Sequence, residues 1–163
     1  MYTPTQKPQE RQELYELLVS QVKHILMDED DAIANYANVS AVIMEIVEGL
    51  NWVGFYLYKN DELVLGPFQG KLACTRIKVG SGVCGTAFAN LSLQNIPDVH
   101  KFEGHIACDS ASNSELVIPI VVNGQGVGVL DIDSFHFNRF DELEEKTFKM
   151  ITSLIEMKLS KQY

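Results

Sequence analysis

The apolar residues of this chain recur at two different periods, and the switch between them constrains the fold more than any other feature. From residue 9 to 27, Leu14, Leu17, Leu18, Val22, Ile25 and Leu26 follow the helical spacing. Met27-Asp28-Glu29-Asp30-Asp31 is an acidic break that caps a second helix running to about Val47, and Gly49 stands at its C′ position. Period two then takes over. Trp52–Tyr58 and Glu62–Leu65 flank the turn Lys59-Asn60-Asp61, and residues 71–79 read as a short strand carrying Cys74. Residues 91–96 read as another, stopped by Pro97. Leu116–Val122 and Val127–Asp133 form the clearest hairpin, joined around Asn123-Gly124. Helical period returns from Asp141 to about Lys161, where Asp141 and Glu144 spell a capping box. Helices around a run of antiparallel strands place the chain in the α+β class, one antiparallel sheet with helices on one face.

At 163 residues with 46% hydrophobic content, one domain over 1–163 is expected, with residues 1–8 a flexible N-terminal tail. Thirteen Lys and Arg oppose twenty-two Asp and Glu, a formal charge of −9. That balance repels phosphate backbones and anionic bilayers, so nucleic acid and membrane partners are excluded. The N-terminus lacks a basic start and an apolar core of the secretory kind. Three cysteines, an odd number, fit free thiols in a reducing compartment, and the chain is expected to be cytoplasmic. Leu14, Leu17, Leu18 and the 143–159 stripe exceed what one sheet face needs, which points to a homodimer.

The residues able to carry chemistry lie in the irregular pieces and on one strand. Cys84 sits in Gly80-Ser81-Gly82-Val83-Cys84-Gly85, a glycine-dense loop opening the short helix Thr86–Asn90. Backbone N–H groups at a helix start stabilise a thiolate, so Cys84 is expected to ionise readily. Cys108 lies in His105-Ile106-Ala107-Cys108-Asp109-Ser110, inside the polar stretch 98–113, and is expected to be exposed. The cysteine spacing is that of neither a zinc ribbon nor a CxxC redox motif, and it does not favour a metal site shared with His100 and His105. The plain alternative is that each thiol is a small buried hydrophobe.

Asp131 and Asp133 stand on what reads as a central strand, two apart and therefore on one face, with Ile132 turned away. Glu115 starts the preceding strand. A strict two-residue turn pairs Glu115 with Ile132 and puts it on the wrong face. A three-residue connection, or one bulge near Gly124 or Gly126, pairs it with Asp133 instead. In that register three carboxylates share a pocket that prefers a cation or proton donor, and they raise one another's pKa. Trp52 and Tyr56, four apart on the first strand, share a face and form either core packing or an apolar wall for a ligand.

These motifs, together with Asn51-Trp52-Val53-Gly54-Phe55-Tyr56, Gly66-Pro67-Phe68-Gln69-Gly70, Ser114-Glu115-Leu116-Val117-Ile118-Pro119 and Leu130-Asp131-Ile132-Asp133-Ser134, resemble the free methionine-(R)-sulfoxide reductases, small enzymes built on a GAF domain. The resemblance runs from about residue 9 to the end. It implies a single GAF domain with a six-stranded antiparallel sheet and helices packed on one side. It implies that Cys108 is the catalytic cysteine, Cys74 the main resolving cysteine and Cys84 a second exchanging thiol. Glu115, Asp131 and Asp133 match the acidic pocket for the substrate's ammonium and sulfoxide groups, and Trp52 and Tyr56 the wall beside its methyl group.

The chemistry suits those residue types. A sulfoxide oxygen leaves only when protonated, an acid of raised pKa supplies the proton, and a thiolate attacks sulfur. The resulting sulfenic acid condenses with a second thiol, and an external dithiol such as thioredoxin restores the enzyme. No metal or organic cofactor is required. The competing reading is a non-catalytic GAF module sensing a small molecule or redox state. A nucleotide pocket, however, wants donors for phosphate and not a cluster of anions.

Overall fold

The computed structural model describes residues 6–106 and 110–162. The chain runs through α1 (Arg11–Asp28), α2 (Ala32–Ile46), β1 (Leu50–Lys59), β2 (Glu62–Gly70), β3 (Arg76–Lys78), α3 (Gly82–Asn90), β4 (Gln94–Ile96), β5 (Ser114–Val122), β6 (Gln125–Ser134) and α4 (Glu142–Ser160). The six strands form one antiparallel sheet in the order β3-β2-β1-β6-β5-β4. The α+β class and the three long helices match the periodicity of the sequence. The stretch 71–79 differs: only Arg76–Lys78 pairs with β2, and Cys74 lies on the connection before it. The strand expected over 91–96 is confined to Gln94–Ile96.

The two faces of the sheet carry separate apolar clusters. On one, Val53, Phe55, Leu116, Ile118, Leu130 and Ile132 pack under the long helices. There α2 rests on β1 and β2, α4 rests on β5, and α1 lies across α2 and α4 as a third layer. Leu18 is fully buried in this layer, and Leu14 and Leu17 pack against it. That part of the apolar excess is taken up within the chain, whereas Met150 and Met157 of the 143–159 stripe remain exposed. The short helix α3 lies on the opposite face, where Val83, Cys84, Ala87 and Phe88 meet Trp52, Tyr56, Val117 and Val129.

Two single-residue bulges set which side chains reach which face. The β5–β6 turn is a two-residue type, Asn123 and Gly124 both at positive φ, with Val122 opposite Gln125. Val121 faces Gly126, but Ile120 faces Gly128, so Val127 is an extra residue. The ladder beyond it pairs Glu115 with Asp133. On β1, Leu50 pairs with Ser134 and Trp52 with Asp133, leaving Asn51 as the extra residue. That bulge lets Leu50 enter the helix-side core while Trp52, only two residues on, enters the other.

The start of α4 is tied to α1 by a buried carboxylate. Asp141 accepts from the Leu143 and Glu144 backbone N–H groups, and the Glu144 side chain accepts from the Asp141 N–H, completing the capping box. Glu144, fully buried, also accepts from the Tyr15 hydroxyl (2.8 Å) and Arg139 Nη1 (2.6 Å), and pairs with Arg11. Removing one member leaves the others desolvated and unpaired. Glu144→Ala is expected to cost about 3 kcal/mol in urea unfolding. Arg11→Ala, at a half-exposed side chain, is expected to cost at most about 1 kcal/mol. Equal losses would contradict this assignment.

Candidate active site

Three adjacent strands aim polar side chains at one spot. Glu115 on β5 faces Asp133 on β6, which faces Trp52 on β1, while Asp131 lies opposite Val117 and Gly54. Glu115 and Asp131 are buried, at 6% and 5% exposure, and Asp133 is half-buried. Helix α3 roofs the spot. It sits close to the sheet edge because Gly85 has no side chain: a Cβ there would stand 2.4 Å from the Lys78 carbonyl oxygen. This brings Cys84 Sγ to 3.9 Å from Glu115 Oε1.

The aromatic wall stands beside the carboxylates. Trp52 stacks on Tyr56 at 5.9 Å and on Phe68 at 5.2 Å between centroids. Gly54 makes the stack possible, since a Cβ there would meet Phe68 Cβ at 2.3 Å and the Trp52 ring at 2.8 Å. Both residues also use their polar ends. Trp52 Nε1 donates to the Lys71 carbonyl (3.2 Å), and the Tyr56 hydroxyl donates to the Cys74 carbonyl (2.8 Å). These bonds anchor the connection that carries Cys74 against the pocket. Cys74 is half-buried and disulfide-bonded, whereas Cys84 is a free thiol. Cys108, expected as the nucleophile, lies outside the described residues.

A cavity of about 30 Å³ is lined by Trp52, Tyr56, Cys84, Glu115, Asp131 and Asp133 together with Ser81–Val83, His105, Ile106 and Ser112. That is room for a water or two, or a single ion. Its described lining residues include no Lys or Arg. Burial without countercharge controls the titration. Burial, and then the charge of Asp133, pushes the Glu115 carboxyl up to about 8. Burial and the neighbouring Glu115 push Asp131 well above the carboxylate range. Asp131 hydrogen-bonds with Glu115, while its Oδ1 has no partner among the described residues. At neutral pH the pocket is thus an acid as well as an anion.

The same environment corrects the expectation for Cys84. Burial, then Asp131 and Glu115, push its thiol well above the ordinary range. The field at the start of the nine-residue helix α3 does not offset desolvation beside carboxylates.

The pocket also uses residues that spacing alone did not single out. His105 Nε2 lies 3.7 Å from Glu115 Oε2, and burial lowers the pKa of this imidazole. With Glu115 holding its proton, the contact is not an ion pair at neutral pH. His100 instead points to Asn113 Oδ1 at 3.0 Å on the surface. Phe68 extends the wall, and Ser112 accepts from Asn51 Nδ2 at 2.9 Å. Phe68, Asn51 and His105 stood inside motifs of the sequence, whereas Ser112 had no local signal beyond the polar stretch 98–113. Among the described residues, Cys84, Glu115 and Asp131 offer one sulfur and two oxygen ligand atoms within 4.8 Å of one another.

The GAF-domain family profile matches residues 34–160. The chain is 50% identical over 148 residues to the free methionine-R-sulfoxide reductase of Escherichia coli (strain K12), covering 91% of this chain and 90% of that protein. It is 39% identical over 153 residues to the free methionine-R-sulfoxide reductase of Saccharomyces cerevisiae, covering 89% and 85% of the two chains. The X-ray structure of free methionine-R-sulfoxide reductase from Neisseria meningitidis in complex with its substrate superposes with a TM-score of 0.94 at 42% identity, over 99% of each chain.

The raised Glu115 pKa carries a stability signature. Between the unfolded value near 4.5 and the folded value of about 8, the native state binds the extra proton, so stability falls as pH rises through that window. Glu115→Gln abolishes this term. Its melting temperature is expected to exceed wild type at pH 9 and to converge with it near pH 4.5. A parallel pH dependence in the two proteins would contradict the assignment.

Proposed function

The chain belongs to the GAF-domain family and, within it, to the free methionine-R-sulfoxide reductases, and from that premise we propose that it reduces free methionine (R)-sulfoxide with a cysteine thiolate. The observation that carries this reading is the buried, partly protonated carboxyl pair Glu115–Asp131 beside an aromatic wall and a cysteine-bearing loop. The substrate's α-ammonium pairs with the acidic side chains, a group that a methionine sulfoxide within a peptide lacks. Its methyl group lies against Trp52. A carboxyl proton passes to the sulfoxide oxygen as the Cys108 thiolate attacks sulfur. The hydroxyl then passes from the substrate sulfur to the Cys108 sulfur as the S–O bond and the transient bond between the two sulfurs break, so methionine leaves as the thioether, reduced by two electrons, and Cys108 becomes a sulfenic acid.

Cys74 then attacks the sulfenic sulfur, water leaves, and a disulfide forms. The half-buried, disulfide-bonded state of Cys74 supports it as the first resolving thiol. Cys84, buried with a raised thiol pKa, is the slower partner in exchange. A dithiol protein of the thioredoxin class regenerates both thiols by exchange. The cycle calls for no metal or organic cofactor. No helix among the described residues is long and apolar enough to cross a membrane, in keeping with work in the cytoplasm. A homodimer reading rests on the exposed α4 side chains Met150 and Met157, and light scattering decides it.

Methionine release from the free (R)-sulfoxide with a dithiol reductant tests the reading. Cys108→Ser is expected to abolish turnover, and Asp131→Asn to lower kcat/KM by at least ~100-fold. Because the donor must hold its proton, kcat/KM in the wild type is expected to fall as pH rises through about 8. Turnover that survives in Cys108→Ser moves the nucleophile to another cysteine. A wild type without turnover leaves the sensor reading in its place.

A further inference from the structure

The three side chains that close the floor of the pocket form a set of unlike ligand atoms. Cys84 Sγ and Glu115 Oε1 are 3.9 Å apart, and Asp131 completes a trio within 4.8 Å. A tetrahedral zinc centre with bonds of ~2.3 Å to sulfur and ~2.0 Å to oxygen holds S and O about 3.5 Å apart. The trio therefore needs only a small contraction to bind. His105 Nε2 lies 3.7 Å from the other Glu115 oxygen, beside the trio but outside the group whose ligand atoms are all within 4.8 Å of one another, so it joins as fourth ligand by moving toward the ion.

Two further observations point to a cation. Asp131 is 5% exposed, and its Oδ1, on the pocket side of β6, has no hydrogen-bond partner among the described residues. No Lys or Arg among the described lining residues supplies countercharge. The cavity of about 30 Å³ has room for an ion without displacing a side chain. A sulfur, an imidazole nitrogen and two carboxylate oxygens together suit a borderline-soft ion better than Mg²⁺ or Ca²⁺.

We propose that this pocket binds a thiophilic divalent cation of the Zn²⁺ type through Cys84, Glu115 and Asp131, with His105 as fourth ligand, and that the ion excludes methionine sulfoxide. Binding releases the thiol and carboxyl protons to solvent and involves no change of oxidation state. The ion occupies the carboxylates that the substrate ammonium and sulfoxide need, so each opposes the other. This competitive part rests on the reductase reading; the ion site does not.

Co²⁺ is the probe, because a cobalt–thiolate bond gives a charge-transfer band in the near ultraviolet. The reduced full-length Cys74→Ser/Cys108→Ser protein, which retains only Cys84, is titrated with Co²⁺ in a buffer without competing thiols. The expected result is a saturable band that Zn²⁺ displaces and that disappears when Cys84→Ser is added. Asp131→Asn, which keeps the thiol, is expected to weaken binding at least ~10-fold, guarding against a misfolded cysteine variant. No band in the double variant, or a band that persists without Cys84, overturns the site. In protein that turns over, a band that methionine sulfoxide does not bleach overturns the competition. A Cys84-dependent band in wild type lacking turnover leaves the ion site standing and removes the reductase reading; turnover without such a band does the reverse.

Discussion

Skipping Val127 in the β5–β6 ladder puts Glu115 beside Asp133 and turns the pocket carboxylates to one side of the sheet. Side chains alternate along a strand, so one residue of slip would have moved Glu115 into the helix-side core. There it would have displaced an apolar side chain and stood without a partner. The Asn51 bulge does the equivalent on β1, sending Leu50 under the helices and Trp52 over the carboxylates. Val127 lies on β6 itself and Asn51 on its neighbour β1, so both irregularities fall in the ladders that β6 makes. The site is therefore held by the most paired part of the sheet, and not by a loop.

Burying acids without cations has a cost, and the rest of the fold offsets it. Three long helices cover one face and supply the main core, while the ion cluster around Glu144 pins α1 to the start of α4. The pocket face has only α3 and the connecting segments as cover. The contrast between the two buried glutamates is instructive. Glu144 has Arg11, Arg139 and Tyr15 and is a satisfied anion. Glu115 has Asp131, Cys84 and His105 and keeps a proton instead. The first environment fastens two helices; the second makes an acid able to serve at neutral pH.

Much of this was legible in the residues, for local reasons. The change of period separated the helices from the sheet, and Asp141 with Glu144 marked the start of α4. Asp131 and Asp133 on an otherwise apolar strand marked the pocket face. The position of Glu115 was open, because a bulge leaves no residue signature beyond nearby glycines. Cys74 was expected on a strand, but hydrogen bonds from Tyr56 and Trp52 hold that segment off the sheet, and those partners are distant in sequence. Cys84 was expected to be an activated thiol from its helix-start setting. Burial and two carboxylates from other strands reversed that, and no local motif reports them. His105 beside Glu115 was hidden for the same reason.

The proposed chemistry depends on a buried carboxyl that remains protonated at neutral pH. Carbon-13 NMR of the side-chain carboxyls across a pH titration, with Glu115→Gln to assign the Glu115 resonance, measures this directly. The expected Glu115 midpoint is near 8, far from the ordinary carboxylate range. A midpoint near 4.5 would contradict it, because the pocket would then hold only anions at neutral pH and Glu115 could not donate a proton there.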